Sequence, residues 1–258
     1  MGRRTRDGSV AVVLATVLAT VLALTGCTGD EPQGPDGTAA PSASGTAAAG
    51  TPGGTADEET DVRTRLTQAL QDDTTGLGDL VAKDDTSLTV LDTPWLDGWQ
   101  VVDVLSRSGA HGARAYLALS DEGVATLLTG RTDAYVDLLT EAGVQVDDEG
   151  TAAAVVETYL DSTRTFRQWS QRIASFDDVQ LRPTLDDAAQ ATVDAARAQL
   201  ATEIGPTTAQ PRGDGFDVEA WMQDGDVLVR HDVRVTSDGE LSDRPSTQVS
   251  GLPVPISR

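Results

Sequence analysis

FDVEAWMQDGDVLVRHDVRV, residues 216–235, is the stretch on which the fold turns. Phe216, Val218, Ala220 and Met222 alternate with Asp217, Glu219, Trp221 and Gln223. After Asp224-Gly225, the set Val227, Val229, His231, Val233 and Val235 alternates with Leu228, Arg230, Asp232 and Arg234. A period of two puts successive side chains on opposite faces, so the stretch is an antiparallel hairpin with one apolar and one polar face. The chain contains no Asn, and Asp-Gly supplies the turns that Asn-Gly would otherwise make. A second such turn, Asp238-Gly239, leads to a third strand around residues 240–249, and Pro253 and Pro255 close the pattern.

Working back from the hairpin, Leu185, Ala189, Val193, Ala196, Leu200 and Ile204 form one apolar stripe at helical spacing. Thr184 with Asp187 approximates a capping box and Gly205-Pro206 stops the run, so a helix is expected over 185–204. A longer helix is expected from about Thr151, with Val155, Tyr159, Phe166, Trp169 and Ile173 near one face and its end undefined. A short one is expected from Thr132, as its cap, to Gly143. Strands are expected at 87–91, 99–106, 113–120 and 124–128, the second and third joined as a hairpin through Arg107 to Gly112. Before them, Val62, Leu66, Ala69, Leu70, Leu77, Leu80 and Val81 repeat at helical spacing, broken by Gly76 and Gly78. The fold class is therefore α+β, antiparallel sheets packed on helices, in a folded region of residues 57–258 with halves at about 57–145 and 150–258. One reading of that order is two αβββ units in tandem, similar to cystatin-like or NTF2-like folds. Element order alone carries that resemblance, and a fold-level analogy gives no function.

Ahead of the folded region, residues 28–56 are mostly Gly, Ala, Ser, Thr and Pro, with no apolar period. Such a segment buries too little surface to offset its ordering entropy and reads as a tether, open to O-glycosylation, whose ends lie about 30 Å apart at roughly 5–6 Å times the square root of its length. The first 26 residues are Arg3, Arg4 and Arg6 followed by the uncharged run Val10 to Leu24, a secretory signal too short for a membrane span. Leu24-Thr25-Gly26-Cys27 ends it, and the chain has no other cysteine. These four residues resemble the lipobox of bacterial lipoproteins, and the residue usage is similar to that of actinobacterial-type chains. The resemblance implies cleavage between Gly26 and Cys27, a palmitate-type lipid anchor on a diacylglyceryl-Cys27, and a place on the outer face of the bacterial cytoplasmic membrane. Two acyl chains, each methylene contributing about 0.8 kcal/mol, hold a protein stably.

The formal charge is -22, and loss of the leader, with three arginines and one aspartate, takes it to -24. A chain so acidic is not expected to bind nucleic acid and is repelled by anionic head groups. With its thiol committed to lipid, the mature chain has no disulfide, no thiolate nucleophile and no thiolate metal site. It also lacks Gly-x-Ser-x-Gly, Ser-x-x-Lys and a phosphate-cradling glycine loop. No cofactor is expected. Zinc would require both histidines and distant carboxylates, and the acidic runs at 147–149 and 224–226 supply only fragments of a calcium loop.

Two candidate sites remain. His231 lies on the apolar face of its strand among four valines. A buried imidazole beside a carboxylate can act as a base, whereas one bonded to backbone or hydroxyl is simply part of the core. Arg164, Arg167, Arg172 and Arg182, with Trp169 among them, form the one local excess of positive charge. They are either a docking spot for an anionic partner or a solvated helix face. Trp95 and Trp99 flank a turn signal, Trp221 sits on a polar face, His111 sits in a glycine-rich loop, and Arg212-Gly213-Asp214 sits in a turn. The leading expectation is a noncatalytic binding or scaffolding protein of the cell envelope, its partner an unidentified envelope protein. The alternatives are a carrier of a lipid or other apolar ligand, and an envelope hydrolase with a dispersed site near His231.

Overall fold

The alternating stretch 216–235 forms the centre of a five-stranded antiparallel sheet, and a second sheet of four strands precedes it. A computed structural model describes residues 56–107 and 112–255. Gly26, Cys27, the signal, the tether before Ala56, and His111 lie outside the described residues. The chain is α+β.

Helices α1 (Ala56–Ala69) and α2 (Leu77–Ala82) come first, separated where Gly76 takes φ 85. They lead into the meander β1 (Thr86–Val90), β2 (Trp99–Ser106), β3 (Ala113–Ser120) and β4 (Ala125–Leu127). Arg63 of α1 donates to the carbonyls of Val81, Lys83 and Thr86 at 2.6, 3.0 and 2.6 Å. The Val81 carbonyl in the last turn of α2 is thereby satisfied, and α1 is fastened to the entry of β1. Val62, Leu66 and Val81 from the helices bury Val102, Val104, Leu117 and Leu119 on one face of this sheet.

Then follow α3 (Thr132–Glu141), α4 (Glu149–Thr163), β5 (Ser170–Ile173), a 3₁₀ turn at Phe176–Asp178 and α5 (Asp187–Leu200). The chain ends with β6 (Thr208–Arg212), β7 (Gly215–Asp224), β8 (Val227–Thr236) and β9 (Leu241–Val249). Strand order is β5-β7-β8-β9; β6 shares the outer edge of β7 with β5, pairing residues 215–219 while β5 pairs 221–224. One face of this sheet, with Phe216, Val218, Met222 and Val233, is buried with Tyr135 and Tyr159 of α3 and α4 and with Val101, Tyr116 and Ala118 of the first sheet. The two halves of the chain thus share one buried layer. The opposite face buries Trp221 and Leu228 beneath Val193, Ala196 and Leu200 of α5.

Three expectations are corrected. The helix from residue 151 ends at Thr163, so Phe166 and Trp169 fall in a loop and Ile173 in β5. No glycine marks that end. It is set by tertiary structure, since the Thr163 hydroxyl turns back to the Tyr159 carbonyl at 2.7 Å and the Gly130 amide donates to the Thr163 carbonyl at 2.9 Å. The later helix begins and ends inside 185–204, and its N-cap is Asp186 rather than Thr184, the carboxylate accepting from the Ala189 amide at 2.8 Å. Thr132 is the first helical residue of α3 and makes no side-chain cap, the N-cap position belonging to Arg131. Strands β5 and β6 were not expected; both are short, and only Ile173 among their residues is buried.

Candidate functional site

His231 lies on the face of β8 that carries Val229 and Val233, as the alternation requires. Its Nδ1 is 2.8 Å from Oδ2 of Asp243 on β9, and the two side chains are 12% and 11% exposed. The Tyr159 hydroxyl donates to the same carboxylate oxygen at 3.5 Å. Burial, then the charge of Asp243, pushes the Tyr159 phenol up to about 12. The other carboxylate oxygen, Oδ1, is buried with no hydrogen-bond partner among the described residues. A carboxylate orienting an imidazole is half of a general-base arrangement. No serine or threonine hydroxyl bonds to this histidine among the described residues, and neither large groove described below is lined by His231, Asp243 or Tyr159.

The arginines divide. Arg172 on β5 is neutralised by Glu157 at 2.7 Å and Asp161 at 3.0 Å, both on α4. Arg164 donates through Nη1 to the Ser170 carbonyl and lies 5.5 Å from the Phe166 ring centre. Phe166 is also stacked on Tyr116 at 6.0 Å and covered by the Arg114 guanidinium at 5.5 Å, while Arg114 makes a bidentate pair with Asp103 at 2.8 and 2.6 Å. Arg164, Arg172 and Phe166 are therefore held by the protein itself. Arg167 is exposed, and neither it nor Arg182 lies within ion-pair distance of a carboxylate among the described residues.

Trp169 is 42% exposed, and with Arg167, Arg182, Leu252, Pro253 and Pro255 it lines an open groove of about 850 Å³. Arg167 also lines a smaller hollow of about 530 Å³ on the Phe166 side, so residues 165–169 form a ridge between two depressions. The ridge is set in place by the hairpin. Gly225, at φ 55 in the β7–β8 turn, donates its amide to the Trp169 carbonyl at 2.8 Å, and a Cβ there would meet the Gln168 side chain at 3.4 Å. The far wall is set by Gln223, which is fully buried. Its Oε1 accepts from the Gln180 amide at 2.8 Å and its Nε2 donates to the carbonyls of Gln180 and Gly225 at 3.0 and 3.1 Å. The Arg182 amide then donates to the Pro253 carbonyl at 2.7 Å.

A second groove, about 860 Å³, opens over the far half of the same sheet face and is lined by Arg212, Asp217, Glu219, Asp232, Arg234 and Arg244. Its charges are largely matched internally: Arg212 to Asp217 at 2.6 Å, Arg234 to Asp214 at 2.6 Å, and Arg230 beside it to Asp232 at 2.8 Å. Arg212-Gly213-Asp214 forms the β6–β7 turn, with Gly213 at φ 55. No group of three or more His, Cys, Asp or Glu side chains is placed to hold a metal ion among the described residues.

Sequence reasoning singled out His231, Arg167 and Trp169, the last on a helix that stops before it, and missed Asp243, Gln223 and Tyr159 as partners. Asp243 had a readable signal. Counting back through the Asp238-Gly239 turn sets it opposite Val233, an inward-facing acid on an edge strand. No protein-family model, curated protein or solved structure matches the chain.

Proposed function

We propose that the chain is a lipid-anchored binding protein of the bacterial cell envelope, fixed to the outer face of the cytoplasmic membrane through diacylglyceryl-Cys27 and engaging an envelope partner through the Trp169 groove. The observation that carries the binding reading is the combination at that groove of an exposed tryptophan with two arginines that no carboxylate neutralises among the described residues, in a chain of charge -22. Tryptophan and arginine are enriched among the few residues that dominate the energetics of protein interfaces. The anchor reading rests on Leu24 to Cys27.

A hydrolase has one observation in its favour, the 2.8 Å bond from His231 to Asp243. It lacks a bonded hydroxyl nucleophile among the described residues, and neither large groove reaches the pair. A carrier of an apolar ligand needs space between sheet and helices, and there Tyr159, Phe216, Met222 and Val233 pack against one another.

Two experiments test the proposal. Cys27→Ala abolishes acyl labelling and frees the chain from membranes; retention with an uncleaved leader contradicts the anchor. A photoreactive residue at position 168, on the groove wall, gives a discrete adduct in intact envelopes that the same residue at position 122 does not. Identical adduct patterns at the two positions contradict the binding site.

A further inference from the structure

The Trp169 groove differs from the charged groove on the same sheet in how its charges are disposed. In the charged groove, Arg212 and Arg234 meet carboxylates at 2.6 Å, so a charged ligand there would have to displace existing partners, and only the exposed Arg244 in its lining has no ion pair among the described residues. In the Trp169 groove, Arg167 and Arg182 have no carboxylate within ion-pair distance among the described residues, and the lining holds one acid, Asp226. The Arg182 Nε is buried without a hydrogen-bond partner among the described residues, as are the Arg164 Nε and, in the charged groove, the Arg234 Nη1. The exposed apolar lining is the Trp169 ring and Pro255, with Leu252 and Pro253 buried beneath.

Resting on the binding reading above, we infer that the occupant is an extended, acidic peptide segment of a partner protein, whose carboxylates pair with Arg167 and Arg182 and whose apolar side chains lie on Trp169 and Pro255. Charge complementarity selects an acidic segment, since a guanidinium with a free fork takes a carboxylate in a bidentate pair. The concave, proline-walled shape selects an extended peptide over a flat lipid surface. Aromatic-lined grooves dock extended, proline-rich segments whose low conformational freedom limits the ordering cost of binding.

The test titrates the full chain in detergent with a fluorescein-labelled peptide of sequence ELPELPELPE and with its glutamine counterpart QLPQLPQLPQ. The glutamate peptide binds at least tenfold more tightly at low salt, the preference shrinks as salt rises, and Arg167→Glu with Arg182→Glu removes it. Arg167→Glu alone, at an exposed position, reduces the preference without risk to folding. Equal affinities for the two peptides, no binding of either, or a preference unmoved by charge reversal overturn the inference. Binding of phosphatidylglycerol vesicles that needs the same arginines, with no preference for glutamate, overturns it in favour of a membrane contact. If position 168 still yields its envelope adduct while glutamate gains nothing over glutamine, the binding function stands and only this ligand chemistry falls.

Discussion

Both sheets are antiparallel, yet the first is covered on its two faces along most of β2 and β3 while the second is covered twice over only part of its length. In β3, Tyr116, Leu117, Ala118 and Leu119 are all buried, alternate residues facing α1 and α2 on one side and the shared layer on the other. In β7, alternation holds from Phe216 to Glu219 and then gives way to the continuously buried Ala220, Trp221, Met222 and Gln223. The change falls where α5 and the segment after β5 cover the second face. An uninterrupted apolar run thus marks the part of a strand with cover on both sides, as it does in sheets sandwiched between helices. Beyond the cover, the open face is filled with charges that are largely matched to one another. At its border, where the C-terminal segment and the ridge meet, Trp169 and its arginines stand unmatched.

The strongest way to break this comparison is to remove a side chain from each doubly covered region. Trp221 is 2% exposed and Leu117 fully buried. Trp221→Ala is expected to cost about 3–5 kcal/mol and Leu117→Ala about 2–5 kcal/mol in urea unfolding. A loss below about 1 kcal/mol at Trp221 would mean that α5 does not form a core with the sheet.

A smaller effect is expected at Gln223, where the cover is pinned rather than packed. Gln223→Ala leaves the Gln180 amide and carbonyl without their partners. Buried groups so abandoned cost about 1–3 kcal/mol. Amide exchange should quicken at Gln180 and Arg182, the wall of the Trp169 groove, while β2 and β3 keep their protection. Equal quickening in both sheets would show that the two regions open as one unit and blunt the comparison.

The shared layer between the sheets gives a pH signature. All three tyrosines titrate above their usual value, Tyr159 at about 12 and Tyr135 well above the ordinary range, with burial as the leading cause. A phenol whose folded value is raised keeps a proton that the unfolded chain releases. Its contribution to stability is complete below about pH 10 and is lost as pH rises through about 12. Asp243→Asn removes the neighbouring negative charge and lowers the Tyr159 value without returning it to the ordinary one, because burial remains. Phenolate absorbance, with Tyr159→Phe as the subtraction, reads this directly. An unchanged Tyr159 titration in Asp243→Asn would mean that the carboxylate does not face the phenol. The same acid points inward from the edge strand β9, which Pro245 and a register shift opposite Leu228 and Val229 also interrupt, devices that discourage pairing with another chain's edge.

Much of this architecture was legible because its signals are local. The bounds of β2 and β3, the hairpin of β7 and β8, and the stripe of α5 follow from period and turn residues that lie next to one another in the chain. What could not be read depends on residues far apart. The end of α4 at Thr163 depends on Gly130, and the segment at Gln180 is held as if it were a strand by a side chain at Gln223. Trp221 looked anomalous on a polar face because α5, which covers it, leaves no mark within the hairpin itself. The arginine cluster was visible as composition. Which arginines were committed depended on Glu157 and Asp161, whose positions on α4 mattered only once that helix stopped short of Phe166.

The smallest expected effect lies on the open half of the second sheet, and it sharpens the contrast with Trp221, four residues along the same face. Asp217 pairs with Arg212 at 2.6 Å and lies 3.8 Å from Arg234, but its side chain is 43% exposed and that of Arg212 74%. Water and salt screen such pairs, and holding long side chains in one geometry offsets what attraction remains. Asp217→Asn is therefore expected to change stability by less than about 0.5 kcal/mol, a difference that fades at high salt. Urea unfolding at two salt concentrations checks it. A loss comparable to that at Trp221 would mean that the charged ladder, and not the cover of α5, holds this face of the sheet, and that coverage cannot be read from where the apolar run begins.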